Sequence, residues 1–357
     1  MHEEPTSDVH EKLQLPINYF GRRDGAGGMM ETIMQLAAAM SPTKKDLVHF
    51  DNCYDLCSGS ASISVAAMEQ NIAKNYLIND LCTPLQAFYQ RVKVFPSEVI
   101  ENYSELIDAF HTSSSRPLFY KRLKDIYHGL QATAEQRAAL FPVIMNLSDG
   151  LPRKNREKRA LSPTFLDRIE ISITANEFST NVHHLNKLLD RPNVIIASDD
   201  FFAYDVANMT PNDLVIIDAP YCDQFSRGLY DRSDDTLSFH QKLKSFTIRL
   251  KAKGVPFILL YGADLLEGNA MTDDGEESLV PETHQFRHMT HCTATSSCGG
   301  YREHIYLPDF FPMDKLPENL LHKKNKVNPP MKERRSHTEK KSKKEPVKAT
   351  RRRSLTI

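Results

Sequence analysis

Asp218-Ala219-Pro220-Tyr221 follows directly on the apolar run LVII at 214–217. An acidic side chain at a strand end, a proline-stiffened turn and an exposed aromatic ring together make a rigid, flat pocket. Such a pocket suits a planar amine whose lone pair is delocalised into a ring, as in the exocyclic amino group of adenine. That nitrogen is a poor nucleophile, so a site must hold it by its hydrogens and aim it at an electrophile. Asp218 and the main-chain carbonyl of Ala219 are the two acceptors this requires. Tyr221 offers a ring on which a base swung out of a duplex can stack, worth roughly 1–3 kcal/mol.

A second group of residues precedes it. Asp55-Leu56-Cys57-Ser58-Gly59-Ser60-Ala61-Ser62 follows an apolar run and leads into the helical pattern SISVAAMEQ. Small residues let the backbone approach a ligand closely, and the helix N-terminus favours polar or anionic groups. This suits the amino acid portion of S-adenosylmethionine. Asn79-Asp80 ends the next apolar run, where a carboxylate can accept both hydroxyls of a ribose.

Elements that would position these groups are legible as periodicity. Runs at 48–60, 75–80, 194–200 and 214–221 are each apolar and then polar or acidic, the pattern of parallel strands that meet a ligand at their carboxyl ends. A fifth run, VPFILLYGAD at 255–264, follows a helix with Phe239, Leu243, Phe246 and Leu250 on one face and Gly254 as its stop. HQFRHMTHCTATSSCGGYREHIYLP reads as two antiparallel strands joined around Gly299 and Gly300. More than a hundred residues separate the second and third strands. They are mostly helical in pattern and carry the basic stretch LPRKNREKR at 151–159, which is better read as an inserted subdomain than as a loop.

Taken in order, these segments resemble the Dam-type (D12 class) DNA adenine N6-methyltransferases. The residues that match are INYFGRRDGAGGMMETI (17–33), DLCSGSA (55–61), NDL (79–81), SDDFF (198–202) and DAPY (218–221). The resemblance spans about residues 16–308. It implies a Rossmann-like, S-adenosylmethionine-dependent methyltransferase sheet of the α/β class, carrying an inserted helical target-recognition subdomain. It also implies that methyl passes from S-adenosylmethionine to adenine N6 of double-stranded DNA.

By the same resemblance, Tyr19, Gly21 and Arg23 belong to the N-terminal cofactor segment. Asp55, Cys57, Ser58, Gly59 and Ser60 surround the methionine, Asn79 and Asp80 meet the ribose, and Asp200 with Phe201 meets the adenine of the cofactor. Asp218, Ala219, Pro220 and Tyr221 hold the target base. The family's N-terminal lysine corresponds either to Arg23 or, in a second alignment, to Met29. Ala219 stands at the first proline of the family's DPPY. Ala61 stands at the loop's second glycine, where a methyl group intrudes if that position needs close approach or positive φ.

The implied organisation is a polar N-terminal extension (1–15), a catalytic domain (16–82 and 191–312), a helical insert (83–190) and a basic disordered tail (313–357). Of 357 residues, 40% are hydrophobic and 25% charged, ordinary for a chain with a sizeable core. The net charge of -1 hides an asymmetry, because residues 321–357 hold 14 Lys and Arg against three Glu. Such a tail is either a non-specific arm for phosphates or a solubilising segment. Arg153, Lys154, Arg156, Lys158 and Arg159 are expected to contact phosphates from the insert.

The six cysteines form no CxxC pair and read as reduced thiols. His183-His184 and His288 with His291 lack the carboxylate or thiolate spacing of a metal site, so no metal is expected. No apolar run approaches the roughly 18–20 residues that cross a bilayer. A cytoplasmic protein, monomeric or weakly dimeric, is the expectation. Two competing functions stay open: a catalytically silent DNA-binding protein of the same fold, and a methyltransferase for another amino acceptor (cytosine N4, RNA or a glutamine amide).

Overall fold

The computed structural model describes residues 15–17, 29–42, 50–147, 171–219, 236–262, 286–292 and 302–315. The chain divides after Leu321, and every described residue lies on the N-terminal side of that division. Each apolar run forms a strand: β1 (Phe50–Asp55), β2 (Ala73–Asn79), β3 (Val194–Ala197), β4 (Asp213–Asp218) and β5 (Phe257–Gly262). The last two strands are β6 (Phe286–Cys292) and β7 (Arg302–Pro308). They make one seven-stranded sheet in the order β3-β2-β1-β4-β5-β7-β6. β1 through β5 pair in parallel, while β7 runs antiparallel to both β5 and β6. The sheet is thus a mostly parallel, Rossmann-like α/β sheet with the antiparallel pair expected near its end.

Alternation along the strands explains how both faces are covered. On β4, Leu214 and Ile216 join one core cluster, and Val215 and Ile217 join the other. The first face receives α1 (Met29–Met40) and α2 (Ser62–Glu69), whose buried residues include Ile33, Leu36, Val65 and Met68. The second receives α8 (Thr236–Ala252) through Leu243, Phe246 and Leu250. α8 ends where the sequence puts a glycine. Gly254 sits at φ 69°, and its N–H and that of Val255 close onto the carbonyls of Lys251 and Leu250, the paired bonds of a Schellman motif.

Among the described residues, five helices lie between β2 and β3: α3 (Thr83–Val94), α4 (Pro96–Thr112), α5 (Arg116–His128), α6 (Ala134–Asn146) and α7 (Ala175–Leu189). Capping boxes start α6 and α7, in which Thr133 and Thr174 exchange hydrogen bonds with Gln136 and Glu177. Phe88, Tyr103, Phe141 and Phe178 carry these helices into the same cluster as Ile78 and Val194 of the sheet. Tyr103 stacks on Phe178 with centroids 3.7 Å apart. The Tyr103 hydroxyl donates to the Ile173 carbonyl at 2.7 Å and accepts from Asn146 at 3.1 Å. Leu15 and Ile17 are buried against the same helices. Asn181 and Asn146 donate to the carbonyls of Leu15 and Pro16.

Among the described residues no helix is long and apolar enough to cross a membrane. None of their His, Cys, Asp and Glu side chains form a group of three that could hold a metal ion.

Candidate active site

β1 and β4 are neighbours, yet the chain leaves β1 toward β2 and β3 and leaves β4 toward β5. Connections that depart in opposite directions open a crevice beyond the carboxyl ends of the two strands, where ligands bind in open α/β sheets. Asp55 ends β1, Asn79 ends β2, Ala197 ends β3 and Asp218 ends β4, so all these termini share one edge. Asp218 lies on the side of β4 that carries Leu214 and Ile216, and Asp55 on the side of β1 that carries Cys53. Both carboxylates therefore rise from the same face.

The turn from β1 into α2 is held from several directions. Ser58 N–H donates to the Asn79 carbonyl at 2.8 Å, and Ala61 N–H to the Ser58 carbonyl at 2.7 Å. Gly59 N–H donates to Asp80 Oδ2 at 2.9 Å, while Cys82 N–H donates to Asp80 Oδ1 at 2.8 Å. Each Asp80 oxygen keeps a second lone pair for a ligand. Gly59 has φ 49° and Ala61 φ 57°, ψ 17°. The loop does need positive φ at Ala61, where the side chain is 1% exposed. An L-residue held there costs roughly 1–2 kcal/mol relative to ordinary helical backbone.

Asn79 is fully buried. Its Nδ2 donates to the carbonyls of Leu56 and Asp199, both at 3.0 Å, and its Oδ1 accepts from Asp199 N–H at 2.9 Å and Tyr204 Oη at 3.3 Å. All four bonds that an amide side chain can make stay within the protein. Asn79 ties the ends of β1 and β2 to the segment after β3, and Asp80 beside it is the member of the pair with capacity left for a ligand.

Asp55 is 1% exposed. Its Oδ2 accepts from Ser64 Oγ of α2 at 2.5 Å, while its Oδ1 is buried without a hydrogen-bond partner. Burial pushes the carboxyl up to about 7; the Ser64 bond opposes this, and the nearby charges of Asp218 and Asp80 add to it. Burial likewise raises Asp80, against its two backbone N–H donors. Three carboxylates around one crevice, one of them with an orphaned oxygen, favour a ligand that is cationic or rich in donors.

Beyond β3, Asp200 is exposed and caps a 3-10 turn over Phe201–Ala203 by accepting from Phe202 N–H at 3.1 Å. Phe201 is buried, with Phe202 at 4.1 Å and the Phe246 ring edge-on at 5.7 Å. Ala219 is buried on the α8 face of the sheet. Cys57 is half-buried and packs against that cluster, whereas Ser58 and Ser60 are buried. Met29 opens α1 with its side chain in the core. Tyr19, Gly21, Arg23, Pro220, Tyr221, Arg153, Lys154, Arg156, Lys158 and Arg159 lie outside the described residues. Among the histidines, His184 Nε2 sits 2.8 Å from Glu69 Oε1 and so links α7 to α2.

Residues that the sequence did not mark also support the loop. Gln86 of α3 donates from Nε2 to Ser58 Oγ at 3.2 Å, and Tyr89 Oη donates to the Gly59 carbonyl at 3.1 Å. Ser64 and Tyr204 do the same for Asp55 and Asn79. A faint signal was present for Gln86: it is the polar member of an otherwise apolar face made by Leu85, Phe88, Tyr89 and Val92.

A model of the D12 class N6 adenine-specific DNA methyltransferase family matches residues 43–289. That span takes in the loop after β1, the Asn79-Asp80 pair, the five helices and the 218–221 tetrapeptide. No curated protein matches the chain.

Proposed function

Because the chain belongs to the D12 class of N6 adenine-specific DNA methyltransferases, we propose that the crevice above β1 and β4 is where it holds S-adenosylmethionine and one adenine of double-stranded DNA. The reaction and the donor are those of the class: methyl from S-adenosylmethionine to adenine N6 in DNA. The observation that carries the assignment of the crevice is that Asp55 and Asp218 end neighbouring parallel strands while Asp80, just after β2, holds the 55–61 loop through Gly59 N–H. The orphaned oxygen of Asp55 fits a cofactor that carries positive charge and ammonium hydrogens.

In this reading the turn Asp55, Cys57, Ser58, Gly59 and Ser60 cradles the methionine portion, with Tyr19, Gly21 and Arg23 closing over it. Asp80 uses its remaining lone pairs for the ribose hydroxyls, and Asn79 keeps Asp80 and the 55–61 loop in register. Asp200 and Phe201 flank the adenine ring of the cofactor. When bound, S-adenosylmethionine supplies an electrophilic methyl carbon on a sulfonium. Asp218 and the Ala219 carbonyl accept the two N6 hydrogens of the target adenine, which localises electron density on nitrogen and fixes its line of approach. Tyr221 stacks on the extruded base, and Pro220 stiffens the turn between them. Orientation and fixed dipoles supply the rate enhancement, with no covalent enzyme intermediate.

The division of labour proposed along the chain is catalysis by 16–82 and 191–312 and target recognition by the helical insert 83–190. Arg153, Lys154, Arg156, Lys158 and Arg159 would position the duplex through its phosphates. Residues 1–15 and the basic segment 313–357 flank the enzyme, which we place in the cytoplasm as a monomer or weak dimer.

The test is incubation of the full chain with unmethylated duplex DNA and radiolabelled S-adenosylmethionine, followed by nucleoside analysis. Label is expected in N6-methyladenine. Asp218→Ala, which removes one acceptor aimed at the transition state, should lower the rate about 10²- to 10³-fold. Undiminished labelling in that variant would overturn the assignment of Asp218.

A further inference from the structure

Two buried side-chain oxygens flank the 55–61 loop without a hydrogen-bond partner, Asp55 Oδ1 at its start and Gln86 Oε1 on α3. Gln86 is 3% exposed, and its Nε2 is anchored 3.2 Å from Ser58 Oγ. The rest of that amide is therefore held against the loop, since the two polar atoms of one amide cannot be far apart. A buried acceptor without a donor is costly and uncommon in a native fold. Here one carboxylate oxygen and one amide oxygen border the same turn, and both lack a donor.

The chemistry that would satisfy them is specific. A ligand carboxylate would be repelled by Asp55, and a sulfonium has no hydrogen to donate. In the reading above the ribose hydroxyls take the remaining lone pairs of Asp80, which already holds Gly59 N–H. A primary ammonium has three N–H donors and a charge that a carboxylate and an amide dipole both favour.

We propose that Gln86 is a cofactor-binding residue whose Oε1, together with Asp55 Oδ1, accepts hydrogen bonds from the α-ammonium of bound S-adenosylmethionine. This rests on the reading above, in which the 55–61 loop cradles the methionine portion. It gives α3, which leads into the helices between β2 and β3, a direct hold on the cofactor. It also explains a glutamine in a helix face otherwise made of Leu85, Phe88, Tyr89 and Val92.

The experiment is calorimetric titration of the full chain with S-adenosylhomocysteine and with its analogue lacking the α-amino group, in wild type, Gln86→Met and Gln86→Glu. Wild type should bind the amino-bearing ligand about ten- to a hundredfold tighter than the analogue. Gln86→Met keeps the volume and removes the acceptor. It should weaken the amino-bearing ligand about tenfold and leave the analogue unchanged, so the gap narrows. Gln86→Glu, which retains an acceptor, should keep the gap. Should Gln86→Met fail to fold, Gln86→Asn, one methylene short of the loop, serves the same comparison.

Equal weakening of both ligands would overturn the proposal in favour of a role in loop shape alone, and so would no change in either. The underlying reading has its own control in Gly59→Val, whose β-branched side chain is not accommodated at φ 49° and so distorts the cradle. If that variant binds S-adenosylhomocysteine as wild type does, the loop assignment falls, and Gln86 with it. If Gly59→Val abolishes binding while Gln86→Met leaves the gap intact, only the Gln86 proposal fails.

Discussion

At the scale of single residues, Asp55 shows how burial turns a carboxylate into a titrating group near neutrality. Its folded-state value of about 7 lies well above the ordinary 3.8. Between those values the native chain holds a proton that the unfolded chain does not, so this group's contribution to stability is complete below about 3.8 and is lost as pH rises through about 7. Asp55→Asn removes the ionisation, so its melting temperature should gain on that of wild type as pH rises from 5 to 8, with no cofactor present. Differential scanning calorimetry across that range checks it; parallel curves would count against the assignment. Ala61 carries a second residue-scale consequence. At φ 57° its methyl is strained, and Ala61→Gly relieves that strain while adding backbone entropy to the unfolded chain. The net should be a gain of up to about 1 kcal/mol in urea unfolding.

Among elements, what matters is that strand ends are tied to one another rather than merely adjacent. Asn79 alone bonds the carbonyl of Leu56 after β1 and both polar backbone atoms of Asp199 after β3. Asn79→Leu would preserve volume but leave the buried carbonyl of Leu56 without its partner, at a cost of about 1–3 kcal/mol, and release the part-buried backbone of Asp199 to solvent. The expected outcome is a loss of about 1–3 kcal/mol in denaturant unfolding, together with weaker S-adenosylmethionine binding, since the 55–61 loop hangs from the same clamp. A variant that binds the cofactor normally would show that the loop holds its shape independently. α3 makes a similar point from the other side of the loop. It begins just after Asp80, and through Gln86 and Tyr89 it fixes Ser58 and Gly59.

For the whole molecule, charge is divided along the chain, with 14 Lys and Arg against three Glu in residues 321–357. If that segment adds phosphate contacts, its deletion should weaken DNA binding most at low salt and flatten the dependence of log K on log salt, while the methylated product stays N6-methyladenine. Fluorescence anisotropy at a series of salt concentrations measures this, and an unchanged slope would make the tail a solubilising segment. The sequence by itself determined the strands and their order of use, because runs such as LVII at 214–217 are apolar on both faces only when helices cover both. It also determined the family through DLCSGSA, NDL and DAPY, whose residue types are dictated by local backbone and ligand chemistry. That the position of Ala61 mattered was legible from its place at the family's second glycine, but the structure decided that it sits at positive φ. Only the tertiary structure decided which member of Asn79-Asp80 keeps lone pairs for a ligand, that Asp55 and Asp218 rise from the same face of the sheet, and that Gln86 and Tyr89 brace the loop. Those facts depend on residues 21 or more positions apart meeting at one sheet edge. Sequence periodicity reports the buried face of an element, but not which buried polar atom on a neighbouring element it will meet.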